Sequence, residues 1–321
     1  PRQALLEDVV IALETRDRAG LADSLQKLRR VATGGIPAHE WGALVLILQD
    51  ASSALPEPEA RPLAAAATLC LSKAAPMKSV DARVPFFAAD LVSRGLFKLP
   101  PHVKWSPAVA VTSWYRRAAV LGHGEACRRL GERWIRGQGA PKSVRQGLSA
   151  LRRAGGLGEI SAWETLGDIY REGSAEDLPV DLEQAEAAYL AGAKASLAGP
   201  APSALGGRLC AKLGATLLGR GKLKEGIGWL ERGVELKAPL AEIGYGGCLL
   251  SGRGVKPNPA RGLALLESHA ASYVLACEAL EAAYEKGAGV KADPERAQSY
   301  RDQAAALLAA GAERWPAAHP R

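Results

Sequence analysis

The sequence predicts an all-α fold, an α/α superhelical solenoid of helix-turn-helix repeats. Three observations carry that expectation. First, aromatics make up only 5% of the 321 residues, Val and Ile are sparse, and Ala and Leu dominate. Ala and Leu carry the lowest helical cost, whereas strands favour branched and aromatic residues. Second, a Gly-x-Gly pair recurs at Gly137/Gly139, Gly252/Gly254 and Gly287/Gly289, the last two copies 35 residues apart. Third, one slot six residues upstream recurs with it, as Gly131, Gly246 and Glu281, and the same spacing joins Gly167 to Gly173. Self-similarity at a fixed period is the signature of stacked repeats.

The first hundred residues lack the glycine signature but read as helix pairs. Leu5, Leu6, Val9, Val10 and Leu13 form one apolar face, and Leu21, Leu25 and Leu28 the next. "TGGIPAHE" breaks the chain before a helix containing Trp41 to Leu48, "SSALPEPEARP" before Leu63 to Ser72, and "KAAPMKSVDARVP" before Phe86 to Leu96. Residues 1–97 are expected to be divergent hairpins that cap or extend the array, because a terminal unit must hide the end of the core. A separate N-terminal domain is the alternative. Residues 98–105 read as a junction stiffened by Pro100-Pro101, 106–311 as the repeat array and 312–321 as a tail. The opening "PRQALLEDVV" lacks the basic start and long apolar stretch of a signal peptide. A start at Pro1 fits loss of an initiator Met or of a longer leader. No apolar run approaches the length of a membrane span.

Within the array, helix A is followed by a glycine turn and then helix B. Ala126, Leu130 and Trp134 fall at i, i+4 and i+8, one continuous stripe. Gly131 on its flank is expected to let the next helix approach closely. The Gly-x-Gly supplies positive φ to end helix A and reverse the chain. Pro257, Pro259 and Pro294 suit the first turn of helix B, where no amide hydrogen is needed. "SWYRRAAVLG" and "ALRRAGGLG" are B helices offset by 36 residues, with "WLERGVEL", "LLESHAA" and "SYRDQAA" as weaker relatives. "AKLGATLLGRGKLKEG" keeps Leu213-Gly214 but has a tighter turn, and an acidic insertion around Ala175 to Val180 replaces one second glycine. Near Gly287, "EKGAGVKADPERAQSY" has the look of a phosphate cradle. It follows a helix instead of a strand, and it recurs, so a structural turn is the expectation.

The pattern L-G-x-x-Y-x-x-G-x-G-V with an aromatic-Ala-Ala second helix resembles the Sel-one-like repeat, the glycine-turn branch of the tetratricopeptide-type repeats. The resemblance covers about residues 106–311. It implies a right-handed superhelix of helix pairs and a role as an adaptor or scaffold, in a protein expected to be bacterial. Family members occur in signalling, envelope assembly, exopolysaccharide export and contact with hosts or rival cells.

Catalytic and metal constellations are not apparent. Cys127, Cys210 and Cys277 each precede a helix A Leu by three residues, so they share one repeat slot. Equivalent sites in stacked helices lie about 10 Å apart, beyond the roughly 7 Å that a disulfide spans between Cα atoms. Buried thiols are therefore expected, which favours a reducing, cytoplasmic compartment; a periplasmic or secreted location stays open if a leader was removed. "HEWGA" starts like a zincin motif, but Ala43 stands where the second histidine belongs after His39. His102, His123, His269 and His319 are scattered, and acids such as Glu159, Glu164 and Asp168 look dispersed. No cofactor, metal ion or catalytic residue is assigned.

Charge is the surface feature above background. Eleven Lys/Arg and two acids, Glu125 and Glu132, lie between Lys104 and Arg153, a local +9 against a total of +7. Arg116-Arg117 and Arg152-Arg153 are 36 residues apart and so occupy matching slots on successive B helices. Arg128, Arg129, Arg133 and Arg136 lie on the intervening A helix, and Arg232 recurs in a later unit. The plain interpretation is a solvated face whose arginine stems cover apolar surface. The functional one is a non-enzymatic protein-interaction scaffold that docks an acidic protein, since the planar guanidinium fork grips carboxylates in pairs. Alternatives are an enzyme or enzyme accessory acting on cell-wall or polysaccharide substrates, or binding of an anionic polymer. Nucleic acid is disfavoured, because Tyr115 and Trp134 fall in core slots and not on a stacking platform. The oligomeric state is open.

Overall fold

The structure, a computed structural model, describes residues 82–94, 106–173, 178–199 and 203–311. The hairpins expected before residue 82, the junction at 98–105, residues 175–177 of the insertion and the tail at 312–321 lie outside the described residues, as do His39, Cys70, His102 and His319. Among the described residues there are twelve helices and no strand. The chain divides into two compact units, residues 1–159 and 160–321.

The first unit contains α1 (Arg83–Ser93), α2 (Pro107–Val120), α3 (Gly124–Arg136) and α4 (Val144–Gly156). The second contains α5 (Ile160–Glu172), α6 (Leu182–Leu197), α7 (Ala204–Gly219), α8 (Leu223–Glu235), α9 (Pro239–Ser251), α10 (Pro259–Glu267), α11 (Val274–Lys286) and α12 (Pro294–Ala309). Within each unit, helices pack on their neighbours in sequence, and in the second unit α7 also packs on α9 and α9 on α11. Nearest-neighbour packing of this kind is what a solenoid of hairpins requires.

Local chemistry sets the helix ends. Ser106, Ser143, Asp181, Ser203, Asn258 and Asp293 each accept a hydrogen bond from a first-turn amide, satisfying a donor that the helix leaves unpaired. Pro259 and Pro294 open α10 and α12 as expected, but Pro257 precedes the cap Asn258 and belongs to the turn. The helix expected from Phe86 runs instead from Arg83 to Ser93. Pro85 falls in its first turn, where its missing amide hydrogen costs nothing.

Gly137 closes α3 in the left-handed region at φ 68°, and Gly139 repeats that conformation at φ 70°. The second glycine also packs tightly: a Cβ there would stand 2.0 Å from the carbonyl oxygen of Ala108 at the start of α2. The pair thus turns the chain and seats the turn on the preceding helix.

The cores are leucine and alanine with single aromatics. In the first unit Ala126, Leu130 and Leu151 are buried, with Phe86 of α1 centred 5.9 Å from Tyr115 of α2 and stacked on His123 at 4.2 Å. In the second, Tyr189, Leu209, Leu213, Leu230, Ile243 and Leu266 are buried. Trp134 departs from expectation, since it is half-buried although it continues the Ala126–Leu130 stripe. Its position in the last turn of α3 carries it past the packed interior to a surface cleft.

Candidate functional site

Three helices of the first unit build that cleft, which has a volume of about 420 Å³. α2 contributes Arg116, Ala119 and Val120; α3 contributes Cys127, Leu130 and Trp134; α4 contributes Arg145, Gln146, Ser149, Ala150 and Arg153. Each set follows helical spacing, so each helix gives one face. Among the described residues, the lining holds three guanidinium groups and no carboxylate. The Arg116 guanidinium stands over the Trp134 ring, 5.7 Å from its centroid, a cation–π contact that orients it. Val120, at the end of α2, is 69% exposed.

The nine arginines singled out by sequence have different fates. Arg128 donates to Glu125 through Nε and a terminal nitrogen at 2.7 and 2.6 Å, and also pairs with Glu132. Arg129 Nε donates to Glu125 at 2.8 Å, and Arg232, in the second unit, pairs with Glu235 at 3.2 Å. Arg133 donates to Thr112 Oγ1 at 2.7 Å and to the Ala108 carbonyl at 2.9 Å, tying α3 to α2. Burial holds its pKa below the usual arginine value. Arg136, Arg117 and Arg152 lie outside the cleft lining.

Only Arg116 and Arg153 of the nine meet there. Arg116 of α2 and Arg153 of α4 both line the cleft, whereas Arg152, the slot matched to Arg116, does not. Arg145 completes the group and was not singled out by sequence. Its signal was its place eight residues, about two helical turns, before Arg153.

Acids that look dispersed in sequence come together in the second unit. Glu164 and Asp168, one turn apart on α5, face Arg208 and Lys212, one turn apart on α7. Arg208 clamps Glu164 with two hydrogen bonds of 3.0 and 2.9 Å. Lys212 Nζ lies 2.7 Å from both Glu164 and Asp168. Tyr189 of α6 donates its hydroxyl to Asp168 at 2.6 Å. Burial alone would raise the Glu164 pKa, but the bonds from Arg208 and Lys212 outweigh it and hold the carboxyl below its usual range. Burial, with the Asp168 charge, pushes Tyr189 far up. Two anions and two cations balance, so the cluster works as a lock between α5, α6 and α7.

A second cleft, of about 820 Å³, lies at the turn between α11 and α12 and includes Tyr284, Lys291, Asp293, Glu295 and Arg296. Both charge signs line it, and Asp293 is already spent capping α12.

By sequence, no family model matches the chain and no curated protein matches it. By structure, it is similar to a Sel1 repeat protein from Oxalobacter formigenes with a TM-score of 0.53 and 20% identity, covering 84% of this chain and 99% of that one. The chain has the Sel1-repeat fold. Other similar structures are a protective antigen of uropathogenic Escherichia coli displaying the SLR fold, at TM-score 0.41 and 17% identity over 95% of this chain and 77% of that one. An immunity protein from Pseudomonas aeruginosa gives 0.40 and 15% over 73% and 85%.

The remaining sequence candidates take structural places in the Sel1-repeat fold. Cys127, Cys210 and Cys277 are buried in equivalent slots, and Cys127 and Cys277 point their sulfurs at carbonyls of Ala119 and Ala270. Cys248 is buried too, and all four thiols are free. His123 caps α3 by accepting from the Ala126 amide at 3.2 Å, and His269 lies 2.5 Å from Glu242. Among the described residues, no group of three His, Cys, Asp or Glu is placed to hold a metal ion. No helix among them is long and apolar enough to cross a membrane.

Proposed function

We propose that this Sel1-repeat chain is a non-enzymatic interaction scaffold that docks an acidic protein partner in the Arg116–Arg145–Arg153 cleft. The observation that carries this reading is the convergence of three guanidinium groups from two helices on a lining that, among the described residues, contains no carboxylate. Elsewhere the chain spends arginines internally, as in the Arg128–Glu125 and Arg208–Glu164 pairs. Among the described residues, no carboxylate lies within ion-pair distance of Arg116, Arg145 or Arg153. Clustered like charges weaken a folded chain unless something offsets them, and charge-assisted bonds to carboxylates of a partner would do so. In this reading residues 106–311 are the repeat array, 1–97 its cap or extension and 312–321 a tail.

Affinity capture with Arg116→Glu/Arg145→Glu/Arg153→Glu against wild type tests the proposal, with Arg232→Glu as the charge control. The expected result is loss of one or more acidic proteins by the triple variant alone. An identical captured set from all three proteins would overturn it.

A further inference from the structure

The cleft offers more than positive charge. Leu130 lies on its floor, Trp134 forms part of a wall, and Val120 stands at the rim with most of its side chain exposed. A site that recognised charge alone would have no use for an apolar floor opening beneath its cations. The Arg116 guanidinium also stands over the Trp134 ring, 5.7 Å from its centroid, a contact that restricts it and lowers the freedom lost when a carboxylate arrives. The volume of about 420 Å³ sits at the low end of the roughly 300–1,000 Å³ of ligand pockets. That space suits one large side chain, not a folded surface.

Resting on the docking proposal above, we infer that the cleft takes a short acidic peptide segment of the partner. One aromatic or large aliphatic side chain of the segment seats between Val120, Leu130 and Trp134. Carboxylates on either side of that anchor engage Arg116, Arg145 and Arg153. The arrangement follows the usual division of labour at interfaces, in which a buried apolar anchor supplies affinity and flanking charges fix register and exclude wrong partners.

Fluorescence polarisation on the full chain with two dye-labelled peptides, Glu-Glu-Phe-Glu-Glu and Glu-Glu-Ser-Glu-Glu, and a short oligothymidylate tests the inference. The Phe peptide is expected to bind about tenfold more tightly than the Ser peptide. Val120→Ser, a rim substitution that leaves the core intact, should remove most of that preference. Arg145→Glu should weaken both peptides alike. Equal binding of the two peptides by wild type would overturn the anchor and leave acidic docking standing. Binding of neither, with normal helical circular dichroism, would overturn the docking proposal itself. Tighter binding of the oligothymidylate than of either peptide would overturn both in favour of a nucleic-acid ligand.

Discussion

Gly131 and Gly147 face each other where α3 meets α4. A Cβ added to Gly131 would stand 2.9 Å from the carbonyl oxygen of Gly147, and one added to Gly147 would stand 2.7 Å from that of Gly131. Gly214 and Gly226 repeat the arrangement between α7 and α8, as Gly246 and Gly262 do between α9 and α10. The recurring glycine of helix A therefore sets how closely these three hairpins close.

That closeness gives a prediction with opposite signs at two glycines. Alanine gains about 1 kcal/mol over glycine inside a helix. At Gly147 the new methyl would also meet Ile135 at 2.4 Å, and forcing helices apart in a packed region costs roughly 1–3 kcal/mol or more. Gly147→Ala should lower the melting temperature in scanning calorimetry. Gly228→Ala, in α8 with nothing within 4 Å of the new atom, should raise it.

The contrast explains what the sequence could reveal. Gly131, Gly137 and Gly139 recur at fixed offsets because the same backbone geometry recurs, so fold class and turn positions were legible. Spacing along one helix also placed Cys127, Cys210 and Cys277 together in a buried slot. Which arginines face one another was not legible. Arg116 and Arg153 share a cleft only once the packing of α2, α3 and α4 is fixed, and Arg128 is tied to Glu125 and Glu132 of its own helix. The Glu164–Arg208 and Asp168–Lys212 pairs each span 44 residues. That separation differs from the 35-residue period, so periodicity alone does not reveal it.

The Lys212 lock predicts a strong effect from a single side chain. Lys212 is 4% exposed and contacts two carboxylates. Lys212→Met should leave Glu164 to Arg208 and Asp168 with the Tyr189 hydroxyl alone. Removing one partner of a buried pair costs about 3–5 kcal/mol; Asp168 retains 31% side-chain exposure, so about 2 kcal/mol is expected. Adding Asp168→Asn should recover part of the loss. In denaturant titration, additive effects of the two substitutions would contradict the coupling.

Buried thiols predict slow chemistry. Burial pushes Cys210 up to about 11 and raises Cys127, Cys248 and Cys277 as well, so little thiolate exists at neutral pH. In a Cys70→Ser background, these four should react with a thiol reagent only when denaturant opens the helices. Fast labelling of the native protein would contradict this.

Acid should weaken the fold through named carboxylates. Glu125, Glu164 and Glu186 are opposed by burial, yet hydrogen bonds and charge from Arg128, from Arg208 and Lys212, and from Lys222 and Arg220 hold each below the usual range. A folded pKa below the unfolded value, about 4.3 for Glu, contributes stability that is complete above the unfolded pKa and lost as pH falls through the folded one. The melting temperature should hold between about pH 5 and 7 as far as these groups determine it, and drop below about pH 4. Glu164→Gln removes one such group, so it should lower the melting temperature at pH 7. Its deficit against wild type should shrink as the pH falls and Glu164 in the wild type takes up its proton. Parallel curves for the two proteins across the acid range would show that Glu164 contributes no such linkage.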